Sequence, residues 1–316
     1  MPMSLTPAMP RPEPRSDAPR LALPPVIPAA ELDLPPHKGR QARHLVLSQP
    51  CASHRFDLLD LPQIRHPLAA PEAAPYRLFR ALPTGRAPER GWPVLYMLDG
   101  NAAFDFLDAD MLATVPDLVV IGIGQRTDAQ FERLSRARDL TFPAEGQVGL
   151  VPDAGYGDRP AGGATGFVPL LTGALRAAAE AGLAVDPARR TLWGHSLGGL
   201  FVLNLMLRRP DSFARYAAIS PSLWWHPERF APVLEAALAA PRTAGPIPLY
   251  MGVGTREKRT GFGGPVPDAP PESFVELADR LAASGRVDLL RQVYDGAVHI
   301  ASLPTSLPAT LRFAAV

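Results

Sequence analysis

Cysteine is nearly absent from this 316-residue chain, since Cys51 stands alone. No intrachain disulfide can form, and a metal site built from several thiolates is excluded. Long hydrophobic runs are also missing, because the longest apolar stretches, such as residues 197–207, fall well short of the roughly 20 residues of a membrane helix. Neither sign of charge dominates, with 32 Lys and Arg residues against 31 Asp and Glu residues. That balance argues against a nucleic-acid partner, which usually needs a basic surface, and against an anionic membrane.

Cofactor motifs are equally sparse. Gly122-Ile123-Gly124 resembles the start of a dinucleotide-binding fingerprint, but Thr127 stands where the third glycine is needed. The chain has no phosphate-binding loop and no histidine pair at the helical spacing of a zinc site. We therefore expect neither a metal nor another cofactor.

Proline is abundant over residues 1–50, and this segment is predicted to be a disordered or loosely attached arm. Its apolar patch at residues 21–30 is interrupted by three prolines, which makes a poor signal-peptide core. The sequence thus favours a cytoplasmic location, with the periplasm as the alternative. Residues 51–316 are predicted to form one domain, because no second composition regime or repeat follows.

Short β-rich runs alternate with Ala/Leu-rich helical runs through the rest of the chain. This alternation is typical of an α/β fold with a mostly parallel central sheet and helices on both faces. The predicted strands are 55–59, 76–82, 92–98, 118–123, 190–194, 215–219, 248–253 and 288–294, and the predicted helices are 167–182, 198–209, 227–239 and 271–284.

The strongest local motif is Gly194-His195-Ser196-Leu197-Gly198, a G-x-S-x-G sequence between a predicted strand and a predicted helix. In that context the serine lies on a tight turn above the sheet, and side chains at positions 194 and 198 are expected to collide with neighbouring backbone. Ser196 is the predicted nucleophile of an α/β-hydrolase fold. A chance match in a glycine-bearing loop is the alternative, and the flanking strand and helix argue against it.

A serine hydroxyl needs a base, which in this fold is a histidine after the last strand. Only His226 and His299 follow Ser196. His299 is the predicted base, because it follows the strand at 288–294 by a short turn at 295–298. His226 comes two strands too early, at a predicted helix start, and His195 is expected to pack within the serine turn.

The acid of the triad should follow the strand at 248–253. Glu257 is the first choice and Asp268 a more remote one, while Asp295 lies very close to His299 in sequence. Alternatively, Glu257 is one charge in a solvent-exposed run of charged residues at 256–259. A catalytic Ser–His pair with a loosely placed acid is a further alternative.

Two backbone N–H groups are expected to form the oxyanion hole. One belongs to Leu197, directly after the nucleophile, and the other to Asn101 in the loop after the strand at 92–98. Gly100 would permit a tight approach there, and Asp99 is expected to fix this loop by hydrogen bonds.

These motifs resemble one known family. Residues 96–104 (YMLDGNAAF) are similar to the third-strand motif of the esterase D-like hydrolases, especially their siderophore esterase branch. Residues 120–141 resemble its arginine-containing segment, with Leu140 where an aromatic residue is usual. Residues 220–225 (SPSLWW) and 293–296 (VYDG) also match, although Val298 stands where glycine often precedes the histidine. The resemblance spans roughly residues 54–312.

The resemblance implies a substrate as well as a fold. It implies hydrolysis of the ester bonds of a catecholate siderophore such as enterobactin or salmochelin, with or without iron, during iron acquisition. Arg126, Arg138, Trp224 and Trp225 would then supply charge and stacking to an anionic, aromatic substrate. Core packing of the tryptophans and an anchoring role of Arg138 through Asp139 are the alternatives.

Other functions remain open at this level. A general carboxylesterase, a thioesterase or an acyltransferase would use the same triad. A non-catalytic binding protein of this fold is less favoured, because a binder has no need for a serine and a histidine in these places. The sequence does not define the oligomeric state.

Overall fold

The structure, a computed structural model, describes residues 41–241, 245–258 and 265–316. Strands and helices alternate along this part of the chain, and the fold class predicted above is confirmed. The strands are β1 (His54–Leu61), β2 (Tyr76–Pro83), β3 (Trp92–Met97), β4 (Val119–Gln125), β5 (Val151–Asp153), β6 (Arg159–Ala161), β7 (Val185–His195), β8 (Arg215–Ile219), β9 (Ile247–Arg256) and β10 (Val287–Val298).

Eight of these strands form one sheet in the order β1-β2-β4-β3-β7-β8-β9-β10, and β5 and β6 pair separately as a small hairpin. β2 runs antiparallel to both of its neighbours, and the other pairs from β4 to β10 are parallel. The strand order reverses around β3, with β4 on one side and β7 on the other. Such a reversal leaves a crevice at the carboxyl ends of the strands, where ligands bind in open α/β sheets.

Helices cover both faces of the sheet. They are α1 (Gly100–Phe106), α2 (Ala109–Ala113), α3 (Arg133–Leu140), α4 (Ala164–Thr172), α5 (Ala174–Glu180), α6 (Leu197–Arg208), α7 (Pro227–Ala239), α8 (Glu272–Ala283) and α9 (Ser302–Ala315). No helix among the described residues combines the length and apolar character that a bilayer span requires.

Two apolar layers lie on opposite faces of the sheet because successive side chains of a strand alternate. In β3, Val94 and Tyr96 pack into the layer under α4 to α8, whereas Leu95 and Met97 pack into the layer under α1 and α9. β3 is buried along its whole length. This explains why its sequence is a continuous apolar run rather than an alternating one.

Several predicted elements differ from the structure. The helix predicted at 167–182 is two helices, α4 and α5, separated at Gly173, where the backbone leaves the helical region. The turn predicted at 295–298 belongs to β10, whose pairing with β9 shifts register there. The helices α1, α2, α3 and α9 and the β5–β6 hairpin were not predicted. In α9, Pro304 and Pro308 obscure the helical pattern.

The predicted arm falls partly on described residues. Residues 1–40 lie outside them, whereas several of residues 41–47 contact the domain, and the boundary at residue 50 stays a prediction. Gln41 forms a β-bridge with Ala129, and a 3-10 helix covers Leu45–Ser48. Val46 is fully buried in the layer under α1, and the His44 ring contacts the Asn101 carbonyl at 3.0 Å.

A matched pair of valine substitutions tests this boundary. Val46→Ala should lower the free energy of unfolding by about 2 kcal/mol, because it removes two buried methyl groups and leaves a cavity. Val148→Ala makes the same chemical change at a side chain that is 94% exposed, and it should leave stability unchanged. Chemical denaturation of both variants measures the difference. Equal stability of Val46→Ala and wild type would show that residues 41–50 are dispensable to the fold.

Candidate active site

The turn between β7 and α6 carries Ser196. Its backbone has φ 61° and ψ −119°, a conformation that non-glycine residues rarely adopt. A side chain at Gly194 would place its Cβ 2.4 Å from the carbonyl carbon of Gly198, and one at Gly199 would come within 2.8 Å of the Ile219 carbonyl oxygen. Gly194 and Gly199 are therefore required by the close passage of backbone around the serine. The collision expected at position 198 is not present, because a Cβ on Gly198 would lie 3.5 Å from its nearest neighbour, Asp99 Oδ2.

His299 lies between β10 and α9 and faces this turn. Its Nε2 is 2.9 Å from Ser196 Oγ, which is hydrogen-bonding distance. The register shift at the end of β10, with Gly296 at φ 70°, carries the chain to this position. The two residues that the sequence selected as nucleophile and base thus meet, although 103 positions separate them.

Glu257, which follows β9, contacts the other side of the His299 ring. Its Oε2 is 2.5 Å from His299 Nδ1, and its Oε1 accepts hydrogen bonds from Ser220 Oγ at 2.5 Å and from the Gly254 N–H at 3.2 Å. Burial raises the pKa of this carboxyl, but the hydrogen bond and charge of His299, with hydrogen bonds from Ser220 and Gly254, outweigh burial and hold the pKa below its usual value. The carboxylate is therefore ionised at neutral pH and serves as an acceptor for a proton on His299 Nδ1.

The other two acids considered from the sequence lie elsewhere. Asp268 is 92% exposed in its side chain and comes within 4.0 Å of Arg256. Asp295 is exposed and accepts from Thr255 Oγ1 at 3.4 Å. Of the three acids, the structure brings Glu257 to the histidine.

The loop after β3 approaches the same turn. Leu197 is the first residue of α6 and Asn101 the second of α1, so both backbone N–H groups are in first helical turns, where intrahelical acceptors are lacking. The Asn101 side chain binds the end of β4, accepting from the Gln125 N–H at 3.0 Å and donating to the Thr127 carbonyl at 3.0 Å. The oxyanion role of the two N–H groups stays a prediction.

Arg136 connects that loop to the nucleophile turn. This buried side chain donates to both Asp99 carboxylate oxygens, at 2.8 and 3.0 Å, to the His195 carbonyl at 3.2 Å and to the Tyr156 hydroxyl at 2.9 Å. Asp99 precedes α1, and its φ of 52° turns the chain into that helix. The pairing fits the expected role of Asp99 in fixing this loop, and Arg136 is a partner that the sequence analysis missed.

The four predicted substrate-binding residues fall into two pairs. Arg138 and Trp225 are buried and bind acids of the protein itself: Arg138 Nε donates to Asp139 at 2.6 Å and Trp225 Nε1 to Asp153 at 2.9 Å. These contacts favour the anchoring and packing alternatives. The Arg126 side chain is 63% exposed and lies 3.5 Å from Asp60, and the residue Trp224 is 40% exposed.

The two other histidines considered from the sequence, His195 and His226, have partners within the protein. His195 Nε2 lies 2.9 Å from the His299 carbonyl oxygen and 3.1 Å from Ser302 Oγ, so this ring packs behind the base as expected. His226 precedes α7 and contacts Glu228 at 2.7 Å and Asp153 at 3.1 Å.

Three serines near the triad were not singled out from the sequence. Ser220 binds Glu257, Ser302 lies 2.6 Å from Ser220, and Ser222 lies 3.1 Å from the nucleophile. Ser220 and Ser222 belong to the Ser-Pro-Ser sequence directly after β8, at the carboxyl edge where the triad assembles. Their position at this edge is the sequence feature that could have identified them as neighbours of the triad. Among the described residues, no group of three or more His, Cys, Asp and Glu side chains is arranged to hold a metal ion.

The fold and the serine–histidine–glutamate geometry define a protein of the α/β-hydrolase class. Residues 74–266 match the Esterase family model. The chain is 30% identical over 252 residues to the ferri-bacillibactin esterase BesA of Bacillus subtilis. This alignment covers 76% of this chain and 84% of that protein. The chain therefore belongs to the Esterase family, whose members are carboxylic ester hydrolases.

Two further relatives confirm the resemblance to the siderophore esterase branch. The apo-salmochelin esterase of Escherichia coli O6:H1 is 41% identical over 151 residues, and this alignment covers 47% of this chain and 47% of that protein. The chain thus aligns with about half the length of that relative. The solved structure of the enterobactin and salmochelin hydrolase IroE is 27% identical, with a TM-score of 0.65, over 85% of this chain and 99% of that chain.

Substitution of each acid in turn tests the assignment of the triad. Glu257→Gln should lower kcat for an activated ester by roughly 10²- to 10⁴-fold, because the neutral amide no longer fixes the tautomer or stabilises the imidazolium. Asp268→Asn and Asp295→Asn remove the same charge from exposed sites and serve as matched controls, with kcat expected near wild type. Steady-state kinetics and a thermal melt of each variant give the comparison. Full activity of Glu257→Gln would remove this residue from the triad.

Proposed function

We propose that the protein is a serine esterase that cleaves the ester bonds of a catecholate siderophore such as enterobactin and thereby releases iron. The observation that carries the proposal is the continuous line from Ser196 Oγ through the His299 ring to the Glu257 carboxylate, with contacts of 2.9 and 2.5 Å. No cofactor takes part in the chemistry proposed here.

In the first half of the reaction, Ser196 Oγ forms a bond to the ester carbonyl carbon while its proton passes to His299 Nε2. The carbonyl oxygen takes up the electron pair and is held by the N–H groups of Leu197 and Asn101. Collapse of this intermediate breaks the carbon–oxygen bond to the leaving alkoxide, which receives the proton from His299. The product is an acyl-enzyme on Ser196.

In the second half, water replaces the alcohol. Its oxygen bonds to the acyl carbon, its proton passes to His299 Nε2, and the bond to Ser196 Oγ then breaks as Oγ regains that proton. A cyclic ester that is opened in this way loses the preorganisation of its iron ligands, which weakens its hold on iron. A cytoplasmic location would suit iron release after import of the siderophore.

The substrate class is supported by two lines of argument. The relatives are named as esterases of salmochelin, bacillibactin and enterobactin. In addition, the exposed side chains of Arg126 and Trp224 follow strand ends at the active edge: Arg126 comes directly after β4, and Trp224 lies two residues after Ser222. A cation and an exposed indole suit an anionic aromatic ligand.

One relative favours a second substrate class. The triacetylfusarinine C esterase of Aspergillus fumigatus is 34% identical over 153 residues, which cover 45% of this chain and 47% of that protein. What the named substrates would then share is a siderophore held together by ester bonds. Which iron-binding group the substrate carries is decided by the experiment below.

The decisive experiment compares wild type with Ser196→Ala on enterobactin, with and without iron, and separates the linear products by chromatography. Wild type should open the trilactone, and Ser196→Ala should reduce the rate by at least about 10³-fold, because it removes the hydroxyl that lies at hydrogen-bonding distance from His299 Nε2. The two iron conditions identify the form of the substrate that is cleaved.

Parallel reactions with triacetylfusarinine C and p-nitrophenyl esters separate the alternatives. Cleavage of only the p-nitrophenyl esters, lost in Ser196→Ala, would keep the serine esterase and refute the siderophore substrate. Added alcohol that diverts the acyl group into a new ester would instead indicate an acyltransferase. Binding of siderophore with no turnover of any ester would indicate a non-catalytic binding protein.

Substitutions at the exposed pair test substrate contact. Arg126→Ala and Trp224→Ala should each raise KM for the siderophore by roughly tenfold and leave turnover of p-nitrophenyl acetate unchanged, because that small ester lacks the charge and the rings they would bind. Arg90→Ala, which removes a cation that is 77% exposed and lies beside Asp186, is the matched control. An unchanged KM in both variants would place the siderophore elsewhere.

A further inference from the structure

A second hydroxyl lies against the nucleophile. Ser222 Oγ is 3.1 Å from Ser196 Oγ, and the Ser222 side chain is buried. The backbone fixes this spacing, because the Ser222 N–H donates to the Ser196 carbonyl at 3.1 Å. The contact is therefore built into the crossing of the β7–α6 turn and the segment after β8.

A count of protons gives the direction of this hydrogen bond. To act as a base, the His299 ring must carry one proton; with that proton on Nδ1, facing the Glu257 carboxylate, Nε2 has a free electron pair and accepts the single proton of Ser196. Ser196 Oγ has no second proton to donate. The hydroxyl of Ser222 must therefore donate to Ser196 Oγ, the atom that reacts.

We propose that Ser222 is a catalytic residue that speeds the release of the acyl group from Ser196. The inference rests on the serine mechanism of the proposed function. In the second half-reaction, the bond between the acyl carbon and Ser196 Oγ breaks and its electron pair moves onto Oγ. The hydrogen bond from Ser222 stabilises that charge until His299 Nε2 returns its proton, and Ser222 keeps its own proton throughout.

The effect should be larger on deacylation than on acylation. In the acyl-enzyme, Oγ is the bridging oxygen of an ester, a poor acceptor, so the hydrogen bond is weak before the bond breaks and strong as charge develops. In the free enzyme, Oγ belongs to a hydroxyl that already accepts well, so little is gained during attack. Only an interaction that strengthens toward the transition state raises the rate of a step.

The test separates the two half-reactions with p-nitrophenyl acetate. Ser222→Ala should lower kcat and KM together by about tenfold and leave kcat/KM within about threefold of wild type, because kcat/KM reports acylation. A burst of one p-nitrophenolate per enzyme should precede the slow phase, and intact mass spectrometry of quenched samples should show the accumulated acetyl-enzyme.

Ser306→Ala is the matched control, since Ser306 is also buried and donates to the Leu303 carbonyl at 2.8 Å within α9, and its kcat and KM should equal those of wild type. If Ser222→Ala does not fold, the near-isosteric Ser222→Cys, a weaker donor, should show the same pattern to a smaller degree. Equal losses in kcat and kcat/KM without acetyl-enzyme would overturn the proposal and reduce Ser222 to a packing residue. A burst that persists in Ser196→Ala would instead refute the serine mechanism itself.

Discussion

The close passage of backbone at the β7–α6 turn is the constraint on which the rest of the site depends. Gly194 and Gly198 approach so closely that no side chain fits at position 194, and Ser196 takes a backbone conformation that costs on the order of 1–3 kcal/mol. The surrounding hydrogen bonds hold it there: the Ser196 N–H donates to the Ile219 carbonyl, and the Ser222 N–H donates to the Ser196 carbonyl. A strained serine is thus fixed by the neighbouring strand end rather than by its own loop.

The parallel sheet explains how distant residues reach this turn. β7, β9 and β10 end at the same edge, and each contributes one member of the Ser–His–Glu line from the residues that follow it. β8, between β7 and β9, supplies the serine pair 220 and 222 that contacts both the acid and the nucleophile. The order of the strands therefore places these hydroxyls beside Glu257 and Ser196, with Ser220 bonded to the carboxylate and Ser222 to the serine hydroxyl.

The sequence predicts the residues that carry strong local signals. Ser196 and His299 follow from a strand–turn–helix motif and from the order of strands, and most strand positions follow from continuous apolar runs. The break between α4 and α5 was missed because apolar residues at helical spacing continue across Gly173. The helix α9 was missed because Pro304 and Pro308 disturb its helical pattern, although its buried side chains pack it against the sheet. The acid was ambiguous for a related reason: Glu257 lies in a charged run, and only the fold buries it.

Partners that lie far apart in the chain are the hardest to predict. Arg136 binds Asp99, 37 positions away, and the His195 carbonyl, 59 positions away. Its buried charge is compensated by hydrogen bonds to both Asp99 carboxyl oxygens and to two further acceptors, which is the condition under which a buried guanidinium is tolerated. The same side chain thereby joins the loop before Asn101 to the residue before Ser196, the two segments whose N–H groups are proposed to receive the oxyanion. Stabilisation of developing charge depends on donors held in place beforehand, so we expect this buried pair, which lies outside the proposed triad, to contribute to catalysis by positioning them.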